Sequence, residues 1–269
     1  MRWRLLLHGP ASGAHNMAVD EAIGRAVSEG AAPPTLRFYD WHPPCVSLGR
    51  HQPWSAVDSV RCAEFGYDIV RRPTGGRALL HTDELTYSII APADHPLVAG
   101  MVMDAYLRLS RGLLGGLARL GITAQAAPGA PRADQEASAA CFQAPSAYDI
   151  VVDGRKLLGS AQNRRSGFVL QHGSLPLAGD VTRVVDCLAF ESPTERDALR
   201  SSLAGHATTV EQLLGRAVSF DHAAKAMIAG FTEALHLDLA PGDLSSAEHD
   251  WAAQLALERY ANPDWTRRV

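Results

Sequence analysis

Two residue types that could share one acyl-transfer reaction stand close together in this chain, a cysteine at Cys141 and a lysine at Lys156. Lysine is scarce here: the 25 basic residues include only Lys156 and Lys225. Arginine holds its proton at any working pH, whereas lysine can release it, and burial moves its pKa readily. An ammonium near a thiol lowers the thiol pKa and yields thiolate, the nucleophilic form. Lys225 falls in an ordinary helical stretch and reads as solvent-facing charge, so scarcity alone assigns nothing.

The residues around Lys156 specify how it is held. Ile150-Val151-Val152 and Lys156-Leu157-Leu158 flank Asp153-Gly154, a type I′ hairpin signature. A two-residue turn pairs Val152 with Arg155 and Val151 with Lys156. Paired residues, and residues two apart, share a sheet face. Asp149, Val151, Lys156, Leu158 and Ser160 then point to one side, with Asp149 diagonal to Lys156. An amine, a carboxylate and a hydroxyl among aliphatic residues could form one wall of a pocket. The plainer alternative is a surface ion pair. The small run Gly159-Ser160-Ala161 favours the pocket, because it lets another molecule approach the backbone closely.

A second constellation is Arg71-Arg72-Pro73-Thr74-Gly75-Gly76-Arg77-Ala78-Leu79-Leu80-His81. Paired glycines after a strand permit positive φ and let N–H groups point at a ligand. The arginines suit a carboxylate, a phosphate or an acidic partner. The same pattern also makes a plain hairpin. It is neither a GxxxxGK[ST] loop nor a GxGxxG fingerprint. Cys141 closes the Ala-, Pro- and Gly-rich loop 126–140. A free cysteine is most often a small buried hydrophobe; the loop position and nearby Lys156 favour a reactive thiol. Cys45, Cys62 and Cys187 lie in apolar element positions and read as packing. His81 and His172, the latter followed by Gly173, are the histidines best placed to orient a substrate or accept a proton. The sequence does not choose between them.

Elements must position these groups. Arg2–His8 reads as a strand and Ala14–Ser28 as a helix with one apolar face. Thr35–Asp40 and Cys45–Arg50 read as strands joined by His42-Pro43-Pro44. Trp54–Phe65 reads as helix, Asp68–Arg72 as strand, and Ala78–Ala91 as one extended segment. Met101–Leu120 has a helical apolar stripe, and its Asp104, Arg108, Arg111 and Arg119 exclude a membrane span. Phe168–Leu177 is a strand, and helices follow from Asp180 to the last at Ala247–Tyr260. This pattern is α+β with one main sheet. The 269 residues suffice for one large domain, and we expect a single catalytic domain over 1–269. Net charge of −4 gives no nucleic-acid footprint. Four spaced cysteines without a CxxC pair suggest no zinc site and no disulfide framework, and a reducing cytoplasm is the simplest setting. No internal repeat is present.

Several segments together resemble a known family. Asn16–Ala22, Val46–Gln52, Arg71–His81, Asp149–Ala161, His172-Gly173 and Tyr260–Trp265 are similar, in this order, to motifs of the lipoate–protein ligase A group of the biotin/lipoate ligase superfamily. The likeness covers most of the chain. Within the group it is to the LipM-type octanoyltransferases. The resemblance implies a mixed sheet flanked by helices, of class II synthetase-like form. It implies transfer of octanoyl from octanoyl-acyl carrier protein to a lysine of a lipoyl-domain protein, either glycine cleavage H protein or 2-oxoacid dehydrogenase E2. Cys141 would carry the acyl thioester and Lys156 would assist it. Arg71, Arg72, Thr74, Gly75, Gly76, His81, Asp149, Gly159, Ser160, Ala161, His172 and Gly173 would bind substrate. No metal or cofactor is required on this reading. ATP and Mg would enter only if the chain were an ATP-dependent lipoate–protein ligase, where Arg77 takes the place of that group's third glycine. An octanoyl amidotransferase acting between lipoyl proteins is the other relative in view. The protein partners of this group are acidic, so Arg71, Arg72, Arg77, Arg164 and Arg165 are expected to form a docking patch.

Overall fold

The computed structural model describes residues 2–127 and 149–269. Its first strand, β1 (Arg2–Ala11), runs parallel to β2 (Thr35–Trp41). β6 (Glu84–Pro92) pairs antiparallel with β2, and β10 (Phe168–Pro176) antiparallel with β6. The sheet continues through β9 (Arg155–Arg165), β8 (Ile150–Val152) and β7 (Gln125–Ala126). On its other edge β11 (Asp238–Pro241) lies parallel to β1, giving eight strands in mixed order. A separate three-stranded sheet joins β3 (Cys45–Leu48), β4 (Asp68–Arg71) and β5 (Leu79–His81). The architecture is α+β, a mixed sheet flanked by helices.

Four expectations change. The strands on either side of His42-Pro43-Pro44 do not pair: β2 belongs to the large sheet and β3 to the small one. The segment 78–91 breaks at Thr82-Asp83 into β5 and β6, which again serve different sheets. β11 is a strand where only helices were expected. Four residues ending at a proline carry no periodicity of their own, and β1 supplies the pairing. The helix expected over 54–65 is a 3₁₀ turn, Trp54–Ala56, followed by α2 (Ser59–Glu64), capped by the Asp58 carboxylate on the Arg61 N–H.

Helices cover both faces. α1 (Gly13–Ser28) lays Met17, Val19, Ala22 and Ile23 against Ile90, Phe168 and Leu170. Its N-terminus is capped by Ser12. On the opposite face α3 (Val102–Leu120) and α4 (Phe220–Leu235) pack on Phe38, Tyr87, Ile89 and Val169. These two helices touch backbone to backbone: a Cβ at Gly230 would lie 2.1 Å from the Gly116 nitrogen. Buried bidentate Arg4–Glu248 contacts (2.8 and 2.6 Å) fasten β1 to α5 (Ser246–Leu255). The C-terminal turn α6 (Pro263–Thr266) is held on β4, where Arg71 Nε donates to the Thr266 carbonyl at 2.9 Å.

Candidate active site

The hairpin expected from Asp153-Gly154 is present. Both residues have positive φ, 49° and 76°, as a type I′ turn requires. Val152 pairs with Arg155 and Val151 with Lys156. The next pairing is Ile150 with Leu158, so Leu157 is the extra residue of a bulge. The bulge resets the alternation expected from the sequence. Leu158 joins Leu157 in the core and leaves the Lys156 face. Asp149 stays with Lys156 as expected: Oδ2 and Nζ are 2.8 Å apart, and both side chains are buried. Gly159 makes the room. A Cβ there would sit 2.8 Å from Lys156 Cε and 2.9 Å from Nζ.

Ser160 does not join that pair. Its Oγ lies 2.7 Å from Tyr87 OH, which also accepts from Gln171 Nε2 at 3.0 Å. Burial pushes the Tyr87 phenol up to about 12. Tyr106 OH donates to the Ser160 carbonyl. Gly173 faces Tyr87 and the Gly159 carbonyl so closely that a Cβ would meet them at 2.6 and 2.5 Å.

The glycine turn is organised by arginine. Arg72 donates to the carbonyls of Gly75 (2.9 Å), Arg77 (2.8 Å) and Ser47 (2.8 Å), and to Ser47 Oγ (3.0 Å). Arg71, expected to bind substrate, instead donates to the carbonyls of Gly49 (2.8 Å), Gln52 (2.6 Å) and Thr266 (2.9 Å). It is fully buried and lies outside the cavity wall. A guanidinium is a rigid fork of five donors, well matched to a loop rich in carbonyls. The expected surface patch of Arg71, Arg72, Arg77, Arg164 and Arg165 therefore does not assemble as such. Arg71 and Arg72 are buried in their own turn, and Arg164 donates to the Val98 and Gly100 carbonyls.

Both histidines are built into hydroxyl–imidazole–carboxylate chains. Ser47 Oγ lies 2.8 Å from His81 Nε2, and His81 Nδ1 lies 2.8 Å from Glu84 Oε1. With Nδ1 protonated toward the carboxylate, Nε2 accepts from Ser47, and Trp41 stacks on the ring at 3.9 Å. Glu84 also accepts from Thr86 and Ser174. In the second chain, Thr74 Oγ1 lies 2.7 Å from His172 Nε2, and His172 Nδ1 faces Asp20 Oδ2 at 3.7 Å, longer than a hydrogen bond. Asp20 also accepts from Arg37 (2.7 Å), Tyr39 (3.1 Å) and Ser88 (2.9 Å). Burial opposes ionisation of Asp20, but Arg37 and His172 outweigh it and hold the carboxyl below its ordinary value. Burial likewise opposes charging of His172 and lowers its pKa.

These groups surround one mostly apolar cavity of about 590 Å³, a size usual for small-molecule sites. Lys156, Asp149, Arg72, Gly75, Gly76, His81, Gly159, Ser160, Ala161, His172 and Gly173 all line it. Arg71 and Thr74 do not; Thr74 acts on the wall from behind, through His172. Cys141 lies outside the described residues. Of the other cysteines, Cys45, Cys62 and Cys187 are buried and none lines the cavity. Burial raises the Cys45 pKa well above its ordinary value. Met17, Tyr39, Trp41 and Ser47 also line the wall and were not individually singled out from the sequence. Trp41 precedes the proline turn and Met17 follows Asn16 on α1, so neither position announces itself locally. Among the described residues, no group of three or more His, Cys, Asp or Glu side chains could hold a metal ion. No helix of those residues is long and apolar enough to cross a membrane.

Residues 12–232 match the lipoyl protein ligase A/B catalytic domain. The chain belongs to this family. Among its relatives is the octanoyltransferase LipM of Kyrpidia tusciae, 44% identical over 99% of this chain and 98% of that protein. The octanoyltransferase LipM of Bacillus subtilis is 39% identical over 98% and 97%. In structure the chain resembles the bi-partite lipoate protein ligase of Thermoplasma acidophilum, with a TM-score of 0.83, 26% identity and 99% and 96% coverage. It also resembles a lipoate-protein ligase A bound with ATP, with a TM-score of 0.80, 26% identity and 99% coverage of both chains. The fold and family expected from the sequence are thus found.

Proposed function

We propose that this chain is a protein N-octanoyltransferase of lipoate biosynthesis. It takes octanoyl from octanoyl-acyl carrier protein and places it on a lysine of a lipoyl-domain protein. Residues 1–269 act as one catalytic domain in the cytoplasm. The observation that carries the reading is the buried Lys156–Asp149 pair, 2.8 Å apart, on the wall of a mostly apolar cavity. Full-length similarity to octanoyltransferases supports it.

Cys141 is the nucleophile on this reading. It precedes Asp149 by eight residues, and an extended chain of that length reaches up to about 28 Å. Its sulfur attacks the thioester carbonyl, the carrier thiol leaves with the proton, and an octanoyl-enzyme results. Lys156, oriented by Asp149, favours the thiolate and stabilises the oxyanion. The alkyl chain occupies the apolar wall formed by Met17, Leu79 and Met103. Each buried CH₂ contributes about 0.8 kcal/mol. The acceptor amine then attacks, an amide forms, and the Cys141 thiol is restored. The thioester is already activated, so neither ATP nor a metal takes part.

The likeness to the ATP-bound ligase favours one rival, activation of free lipoate as an adenylate. Intact-mass measurement separates the two. Mixed with octanoyl carrier protein and no nucleotide, the wild type should gain one octanoyl group and Cys141→Ala none. An unmodified wild type, with lipoate-dependent ATP turnover, would establish the rival.

A further inference from the structure

A second cleft, of about 670 Å³, adjoins the cavity. Pro73 lines it while Gly75 and Gly76 line the cavity, so one turn borders both. β9 does the same: Ser160, Ala161 and Gln162 face the cavity, Asn163 and Arg165 the cleft. Four guanidiniums line this cleft, Arg50, Arg165, Arg259 and Arg268, in a chain of net charge −4. Its carboxylates are Glu21, Glu258 and Asp264. Glu21 is taken up by Arg259 and Tyr260, both at 2.5 Å, and Glu258 accepts from Gln254 at 3.1 Å. Among the described residues, Arg50, Arg165 and Arg268 have no ion-pair partner within the chain. The Nε atoms of Arg50 and Arg259 are buried and make no hydrogen bond. Arg259 and Arg268 both stack on Trp265, at 3.8 and 4.0 Å from its ring centre, which fixes their direction. Burial and the neighbouring Arg50, Arg259 and Arg165 push the Arg268 pKa below its ordinary value. Of the four guanidiniums, Arg259 alone has an ion pair among the described residues, to Glu21.

We infer that this cleft docks the acidic surface of the protein that delivers the acyl thioester. The inference rests on the octanoyl-transfer reading and names where its donor sits. Geometry selects the donor over the acceptor. An acceptor lysine is offered on a short side chain, so its protein must sit over the cavity itself. A carrier-bound thioester hangs on a long flexible arm, and the body of its protein can rest beside the cavity, where the cleft is.

The test is the charge reversal Arg165→Glu/Arg268→Glu, with Arg165→Glu alone as the variant that leaves the Trp265 stack intact. Steady-state transfer is measured with octanoyl carrier protein, with octanoyl-coenzyme A and with octanoyl N-acetylcysteamine. Binding of labelled carrier protein is followed in parallel by anisotropy. The double variant should raise the KM and Kd for carrier protein by about tenfold and steepen neither with salt. Its kcat, its KM for the acceptor and its kinetics with the small thioester should not change. A raised acceptor KM would overturn the inference, as would equal losses with all three donors. A loss shared by carrier protein and coenzyme A but not by the small thioester would also overturn it, since phosphate and not protein surface would then be read. A wild type that transfers octanoyl from no donor at all would instead sink the function proposed above.

Discussion

Replacing Asp149 with asparagine keeps the shape of the Lys156 site and removes its carboxylate. The ammonium is then buried without the charge that lies 2.8 Å away in the native protein. Breaking a buried pair from one side costs about 3–5 kcal/mol. Losing its proton relieves the lysine of that charge. Relative to a free amine of pKa about 10.4, this costs about 4.6 kcal/mol at pH 7 and about 1.9 kcal/mol at pH 9. The destabilisation is therefore capped near 4.6 kcal/mol at pH 7, and the cap falls by about 1.4 kcal/mol for each unit of rising pH. Urea unfolding of wild type and Asp149→Asn at pH 7 and pH 9 measures both numbers. Adding Lys156→Met should return most of the lost stability, because the stranded charge is then gone. A loss below about 0.5 kcal/mol, or one that stays the same at both pH values, would show that the carboxylate does not hold a buried ammonium.

Gly159→Ala should act on the same lysine without touching its charge. The new methyl falls 2.8 Å from Cε, so the flexible end of Lys156 has to move while the backbone need not. Transfer should fall at least tenfold with a stability change within about 1–3 kcal/mol, the usual range for overpacking; unchanged turnover would refute the positional argument. Stability should also depend on pH through the half-buried His8. His8 accepts a hydrogen bond from Arg37 at 2.9 Å, and burial and that charge lower its pKa from 6.5 to about 4. The unfolded chain binds the proton first, so stability is full above pH 6.5 and falls as pH drops through 6.5 toward 4. His8→Gln should flatten part of that slope in a series of thermal melts; an unchanged slope would exclude His8 as its source.

Particular residues show how much of this molecule could be read from sequence. Asp153-Gly154 announced its hairpin because only a few residue pairs tolerate two positive φ values. The α3 stripe announced a helix because its apolar residues recur with the helical period. The neutral outline of the site followed: Lys156, Asp149, the paired glycines and both histidines do line one cavity. The bulge at Leu157 did not follow, since it depends on how Ile150 and Leu158 meet the core. Nor did the role of Arg71, whose acceptors come from residues 49–52 and from Thr266, 195 positions away.

Sequence alone set the local conformations, the apolar faces and the few side chains capable of acyl chemistry, because these depend on neighbours within a turn or two. The assignment of similar strands to two different sheets was made only in three dimensions. So was the pairing of β11 with β1, and so were the two histidine chains that brace the cavity wall. Hydrogen-bond partners and cavity volume belong to segments far apart along the chain, and their energies exist only once those segments have met.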